Sequence, residues 1–219
     1  MKLIIGNKRY SSWSLRPWLL LKQAGIPFRE KLVWIHLPGT VAEIRRYSPG
    51  GKVPALIDGR VRVWESLAIC EYVAEKYPHK GLWPKDPVAR AEARSVCNEM
   101  HAGFQGLRSN LPCHFINRYR GFRVPAEARP DIERIREIWT GARRRWGKGG
   151  PFLYGGFSVA DAMYAPVVFR YLAYGVKLDP VSAGYARTIE TLPAMREWLS
   201  QAARETRRIA AYERPELLP

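Results

Sequence analysis

Cysteine is scarce in this chain. Cys70, Cys97 and Cys113 are its three thiols, widely spaced within 219 residues. An odd number at that spacing excludes a fully paired disulfide framework and offers neither C-x-x-C nor zinc-ligand spacing. Reduced thiols in a cytoplasmic protein, with no bound metal, are the expectation. Long apolar runs are missing as well. None approaches the roughly 20 residues that cross a bilayer as a helix, so no membrane span is expected. The opening residues Lys2-Leu3-Ile4-Ile5 are strand-like, without an apolar h-region or a small-residue cleavage site, so no secretory signal is expected. Internal repeats and low-complexity segments are absent too, which argues against repeat arrays and disordered tracts.

Acidic residues are too few to balance the basic ones: 20 Asp and Glu stand against 36 Lys and Arg, a net charge of +16. Such a balance raises the question of a nucleic-acid partner. The dense groups, Arg143-Arg144-Arg145 with Lys148 and Arg204, Arg207 and Arg208, fall in helix-like segments. They form neither a basic tail nor a DNA-binding motif. Solvated helix faces are the expectation, with attraction of small anions as a milder consequence. A nucleic-acid partner is the distant reading.

The texture of the chain changes near residue 80. Before it, strand-like and helix-like segments alternate. A strand is expected over 2–6. A helix follows over 14–24, where Leu15, Trp18, Leu19 and Leu21 recur at helical spacing and Gly25 supplies a stop. A second strand over 29–34 and a short helix over 40–47, capped by Thr40, come next. The loop Ser48-Pro49-Gly50-Gly51 leads to strands over 55–57 and 61–64, joined through the hairpin signal Asp58-Gly59. A helix over 66–77 closes at Pro78. The order is βαβ, a helix, then ββα, which makes a small mixed sheet with helices on its faces. Residues 81–87 read as a linker. Beyond it the strand signals nearly vanish. Helices are expected over 88–108, kinked or ended by Pro112, and over 130–146, 158–174 and 193–207. They suit an all-helical bundle from 88 to 219.

Four motifs stand in order on this frame. The first is Ser11-Ser12-Trp13-Ser14-Leu15-Arg16, at the handover from strand to helix. The others are Lys52-Val53-Pro54-Ala55-Leu56, then Trp64-Glu65-Ser66-Leu67-Ala68-Ile69 followed by Glu71-Tyr72, and Ser158-Val159-Ala160-Asp161. Together, at matching distances, they resemble the cytosolic glutathione transferase family, with a serine loop similar to that of its zeta-class and related bacterial members. The resemblance covers nearly the whole chain. It implies a thioredoxin-like α/β N-terminal domain (1–80) and an all-α C-terminal domain (88–219). It also implies glutathione as co-substrate, a small electrophile as second substrate, a homodimer, and a cis bond before Pro54.

Glutathione carries a thiol, and a free thiol with pKa near ~8.5 is mostly protonated at neutral pH. A hydroxyl hydrogen-bonded to sulfur, and the positive end of a helix, both favour thiolate. Lowering the thiol pKa by about two units requires roughly 2.7 kcal/mol of preference. The resemblance therefore puts catalysis on Ser11, ranked first, or Ser12, with Ser14 as a helix cap. Val53 would offer its backbone to the cysteinyl part. Glu65 would meet the amine of the γ-glutamyl end and Ser66 its carboxylate. Lys52, or more weakly His36, would meet the glycyl carboxylate. Ser158 and Asp161 form a capping box, a structural assignment. Met100, Phe104, Leu107 and Leu111 are candidates for an apolar pocket wall or for plain core, and Arg108 for an anionic substrate or a salt bridge. The zeta pattern has cysteine where Trp13 stands, which puts that class's isomerase activity in doubt. The alternatives are such an isomerase and a non-catalytic binding module.

Overall fold

The structure, a computed structural model, describes residues 1–218. Its first part runs β1 (Lys2–Ile5), α1 (Ser12–Gln23), β2 (Arg29–Leu32), α2 (Thr40–Arg45), β3 (Ala55–Asp58), β4 (Val61–Trp64) and α3 (Ser66–Lys76). The sheet order is β2-β1-β3-β4. β1 and β2 are parallel, while β3 is antiparallel to both β1 and β4. Alternation along β1 decides which helix covers which face. Leu3 and Ile5 enter the main core with Leu15, Leu19, Ile69 and Val73 of α1 and α3. Ile4 turns the other way, onto Val33, Ile44 and Ala55, beneath α2.

The second part is helical: α4 (Pro87–Ala102), α5 (Gln105–Asn110), α6 (Arg129–Trp146), α7 (Val159–Tyr174), α8 (Pro180–Glu190) and α9 (Pro193–Arg204). α7 is apolar almost all round and nearly every residue in it is buried, so it sits at the centre and packs on α1, α4 and α8. At its start the Asp161 carboxylate accepts the Ser158 N–H (2.8 Å), the Ser158 hydroxyl (3.0 Å) and the Leu153 N–H (3.0 Å). The Ser158–Asp161 cap is therefore a structural hub.

The loop after β1 is fastened to the helical part. The N–H groups of Lys8 and Arg9 donate to the Glu205 carboxylate at 2.7 and 3.0 Å. The buried Lys8 ammonium lies 4.8 and 5.1 Å from the rings of Trp18 and Trp198 and pairs with Glu30 at 2.5 Å. This anchoring fixes the stretch that carries the serines.

Four expectations need correction. α1 starts at Ser12, and its cap is Ser11, whose Oγ accepts the Ser14 N–H at 3.3 Å; Ser14 is not the cap. β2 ends at Leu32, short of Trp34. The helix expected over 88–108 is two helices, broken at Gly103-Phe104 and not by Pro112. Gly103 is extended there, and a Cβ on it would stand 2.9 Å from the Glu99 carbonyl oxygen. Phe104 takes φ 62°, and Arg108 covers the freed carbonyls of Gly103 (2.9 Å) and Met100. Finally, α8 is a helix that periodicity did not reveal. Among the described residues no helix is long and apolar enough to cross a membrane.

Candidate active site

The serine loop begins where β1 ends. Gly6 is closely hemmed: a Cβ would lie 3.0 Å from Ile35 Cγ2 and 3.1 Å from Val53 Cγ2, and both side chains would have to give way. Its N–H donates to Ser14 Oγ at 3.0 Å, and the Ser11 hydroxyl donates to the same oxygen at 2.8 Å. Ser14 thus satisfies the end of the strand while Ser11 caps the helix. The Ser12 hydroxyl has no hydrogen-bond partner among the described residues, and Ser12 lines a cavity of about 590 Å³.

That cavity lies between the two parts of the molecule. Its walls include Tyr10, Ser11, Ser12, Trp13, His36, Lys52 and Val53 from the first part, and Arg108, Cys113, Arg170 and Tyr212 from the second. A smaller cavity of about 300 Å³ adjoins it, lined by Trp13, Ser48, Gly50, Lys52, Val53, Pro54, Trp64 and Glu65. Trp13, Lys52 and Val53 belong to both. Such a pair of connected clefts, walled by apolar surface and a few polar groups, suits an extended polar molecule beside a smaller one.

Most of the expected residues meet here. Ser11, Ser12, Lys52, Val53 and Glu65 line one or both cavities. The Val53-Pro54 peptide is cis. Glu65 precedes α3 with φ 69° and ψ 130°, a conformation that side-chain-bearing residues rarely adopt. Strain of that kind concentrates at ligand clamps. Its carboxylate stands 3.7 Å from His101 Nε2. Ser66 differs: it is fully buried, its Oγ accepts from Arg16 Nη1 at 3.3 Å, and it lines neither cavity. His36 lines the larger cavity with φ 62°, its Nε2 3.2 Å from the Tyr212 hydroxyl. Met100, Phe104, Leu107 and Leu111 are buried core and line neither cavity.

The electrostatics of the site are positive. Arg16 is buried, its Nε has no partner, and burial followed by the nearby Arg108 and Arg170 charges brings its pKa down to about 9. Burial and Arg170 bring Arg108 down to about 10. Arg108 donates to backbone carbonyls, as does Arg170 to that of Leu111. Among the described residues no carboxylate pairs with any of these three guanidiniums. Sequence reasoning missed Arg170 and Tyr212 and treated Trp13 as a departure from a pattern. Arg170 had a signal, being the one basic residue in the apolar run of α7. Tyr212 had none. The cysteines are free and buried, and burial pushes Cys113 up to about 11 and Cys70 up to about 12.

A four-stranded mixed sheet carrying a serine loop and a cis-proline corner, joined to a helical bundle, defines a thioredoxin-like domain with a helical partner. Comparison with known proteins narrows this class. The family model for the glutathione S-transferase N-terminal domain matches residues 10–76, and that for its C-terminal domain matches 116–200. The chain belongs to the glutathione S-transferase family. It is 28% identical over 172 residues to the probable maleylacetoacetate isomerase of Caenorhabditis elegans, covering 77% of this chain and 78% of the relative. Its fold matches the holo structure of maleyl pyruvate isomerase, a bacterial zeta-class glutathione S-transferase. The TM-score is 0.72 at 22% identity, over 94% of this chain and 99% of that one. It also matches a glutathione transferase homologue from Burkholderia gl BGR1 with bound glutathione. There the TM-score is 0.68 at 22% identity, over 92% and 97% of the two chains.

Proposed function

We propose that this protein is a serine-type glutathione transferase that binds glutathione across the two adjoining cavities and directs its thiolate at a small, anionic electrophile. The observation that carries this reading is the Ser12 hydroxyl, unpartnered among the described residues, at the N-terminus of α1 and on the wall of the larger cavity. A sulfur seated there would receive that hydroxyl and the positive end of the helix, both of which favour its charged form. The hydrogen bonds favour Ser12 over Ser11 as the direct donor, because Ser11 is committed to Ser14 and the cap.

The rest of glutathione would extend into the smaller cavity. Val53 would meet the cysteinyl backbone and Glu65 the γ-glutamyl amine. The γ-glutamyl carboxylate would face the positive end of α3 beside Glu65, Ser66 itself being fully buried with its hydroxyl held by Arg16. Lys52 would meet the glycyl carboxylate. Arg108 and Arg170, lining the larger cavity without carboxylate partners, support an anionic second substrate. Isomerisation is the second reading, favoured by the maleylacetoacetate isomerase relative. In it the same thiolate would add to a double bond and leave again after rotation about the resulting single bond.

Calorimetric titration with reduced glutathione, followed together with thiolate absorbance, tests this reading. Binding with thiolate formed at neutral pH supports it, and no binding at millimolar concentration refutes it. Ser12→Ala should raise the pKa of the bound thiol with little loss of affinity. If Ser11→Ala does so while Ser12→Ala does not, Ser11 is the donor.

A further inference from the structure

Trp13 belongs to both cavities. The Arg16 guanidinium lies 4.2 Å and the Arg108 guanidinium 4.6 Å from its ring centroid. Its edge meets the His101 ring, with centroids 5.3 Å apart at 80°. Two guanidiniums on one indole, with no carboxylate paired to either among the described residues, make an unusual arrangement. The π-face of the indole supplies negative electrostatic potential where an ion pair would ordinarily supply a counter-charge. Arg16 is confined in the core, but Arg108 is not: it lines the larger cavity, and its guanidinium donates to the backbone carbonyls of Met100 and Gly103.

We propose that Trp13 is a positioning residue that holds the Arg108 guanidinium at the wall of the larger cavity, so that Arg108 is ready to grip a carboxylate carried just beyond the glutathione sulfur. An acidic residue would hold Arg108 as firmly but would neutralise it. The aromatic face orients the guanidinium and leaves its charge available to a ligand. The inference rests on the glutathione-binding reading above and adds a specific job for the residue that departs from the zeta pattern.

The test compares two near-isosteric glutathione thioethers, S-propylglutathione and S-(2-carboxyethyl)glutathione, by calorimetry on the full chain. The ratio of their affinities isolates the grip on the carboxylate and cancels changes in the glutathione part. The native protein should prefer the carboxylate form. Trp13→Leu should cut that preference by roughly tenfold, the loss of a largely desolvated cation–π contact. Trp13→Phe, which keeps an aromatic face, should retain most of it. Arg108→Gln should remove most of it, Arg170 being left, and adding Trp13→Leu to Arg108→Gln should change nothing further. If the native protein binds both thioethers equally, or the Leu variant keeps the full preference, or the two substitutions act independently, the inference is wrong. If neither thioether binds, the glutathione-binding reading fails and takes this inference with it. Should Trp13→Leu not fold, the Phe variant and Arg108→Gln decide: both losing the preference equally would exclude an aromatic-face role.

Discussion

His114 should withdraw stability from this protein as pH falls from its ordinary value of 6.5 toward about 4. The imidazole is fully buried. Its Nδ1 accepts the N–H groups of Ile116 (3.2 Å) and Asn117 (2.9 Å), and its Nε2 donates to Glu213 at 3.3 Å. This neutral tautomer is fully used, and a second proton would have to displace two backbone donors. Burial, and next the pull of Glu213 against it, leave the His114 pKa at about 4, below its ordinary 6.5. The unfolded chain therefore takes a proton as pH falls through 6.5, while the native state refuses it until about 4. Stability from this group is complete above the unfolded value and is lost on the way down. The full loss is about 3 kcal/mol, from about 1.4 kcal/mol for each pH unit between the two values. Urea unfolding read by tryptophan fluorescence, in steps from about pH 7 to about pH 4, measures it against His114→Gln, which keeps a donor for Glu213 but cannot titrate. Burial works against the Glu213 carboxylate, yet hydrogen bonds from Tyr10, His114 and Asn117 hold it below the usual carboxylate range. It therefore titrates late and does not compete with the imidazole in the upper part of the window, and the raised Asp161 and Glu205 carboxylates cancel in a comparison of the two proteins. The stability difference between the two proteins should shrink or invert by about 3 kcal/mol over that range. Parallel curves would refute the buried neutral tautomer.

Two other perturbations follow from the geometry. Asp161→Ala should cost roughly 3 kcal/mol or more in urea unfolding, because it orphans the Ser158 and Leu153 N–H groups at the root of the central helix. A cost under about 1 kcal/mol, no more than an ordinary exposed cap, would show that α7 does not depend on the cap. Glu65→Gly should relieve the positive φ and raise stability by about 1 kcal/mol, while weakening glutathione binding in calorimetry. Stabilisation without loss of affinity would remove Glu65 from the binding groove.

Much of the fold was legible because its punctuation is local. The βαβ start, the Asp58-Gly59 hairpin and the prolines and glycines around residue 80 all act within a few residues, and most strands and helices formed within a few residues of where their periods placed them. α8 escaped because Ser182, Ala183 and Gly184 blur its apolar stripe. Its Asp179-Pro180 start was nevertheless a helix signal, and the Asp179 carboxylate accepts the N–H groups of Val181 (3.0 Å) and Ser182 (3.1 Å). The break at Gly103 was marked by the glycine, but Phe104 in the left-handed region was not readable.

The site was legible as a set of residue types and not as a set of partners. Three serines at a strand-to-helix handover are visible in the sequence. Which one is spare depends on how the loop closes over Gly6, because Ser14 is consumed by the Gly6 N–H eight positions back and Ser11 by the cap. Tyr212 reaches the cavity because Glu213 beside it accepts hydrogen bonds from Tyr10 and Asn117, about a hundred or more positions away. No periodicity encodes such contacts. Trp13 shows the same limit most clearly. Read along the chain, it replaces a cysteine and subtracts a function. In space it meets a guanidinium from its own helix and one from the opposite part of the molecule, on the shared wall of two cavities. A residue that looks like a loss in one dimension is a point of assembly in three, because the chemistry of an indole face is decided by what the fold lays across it.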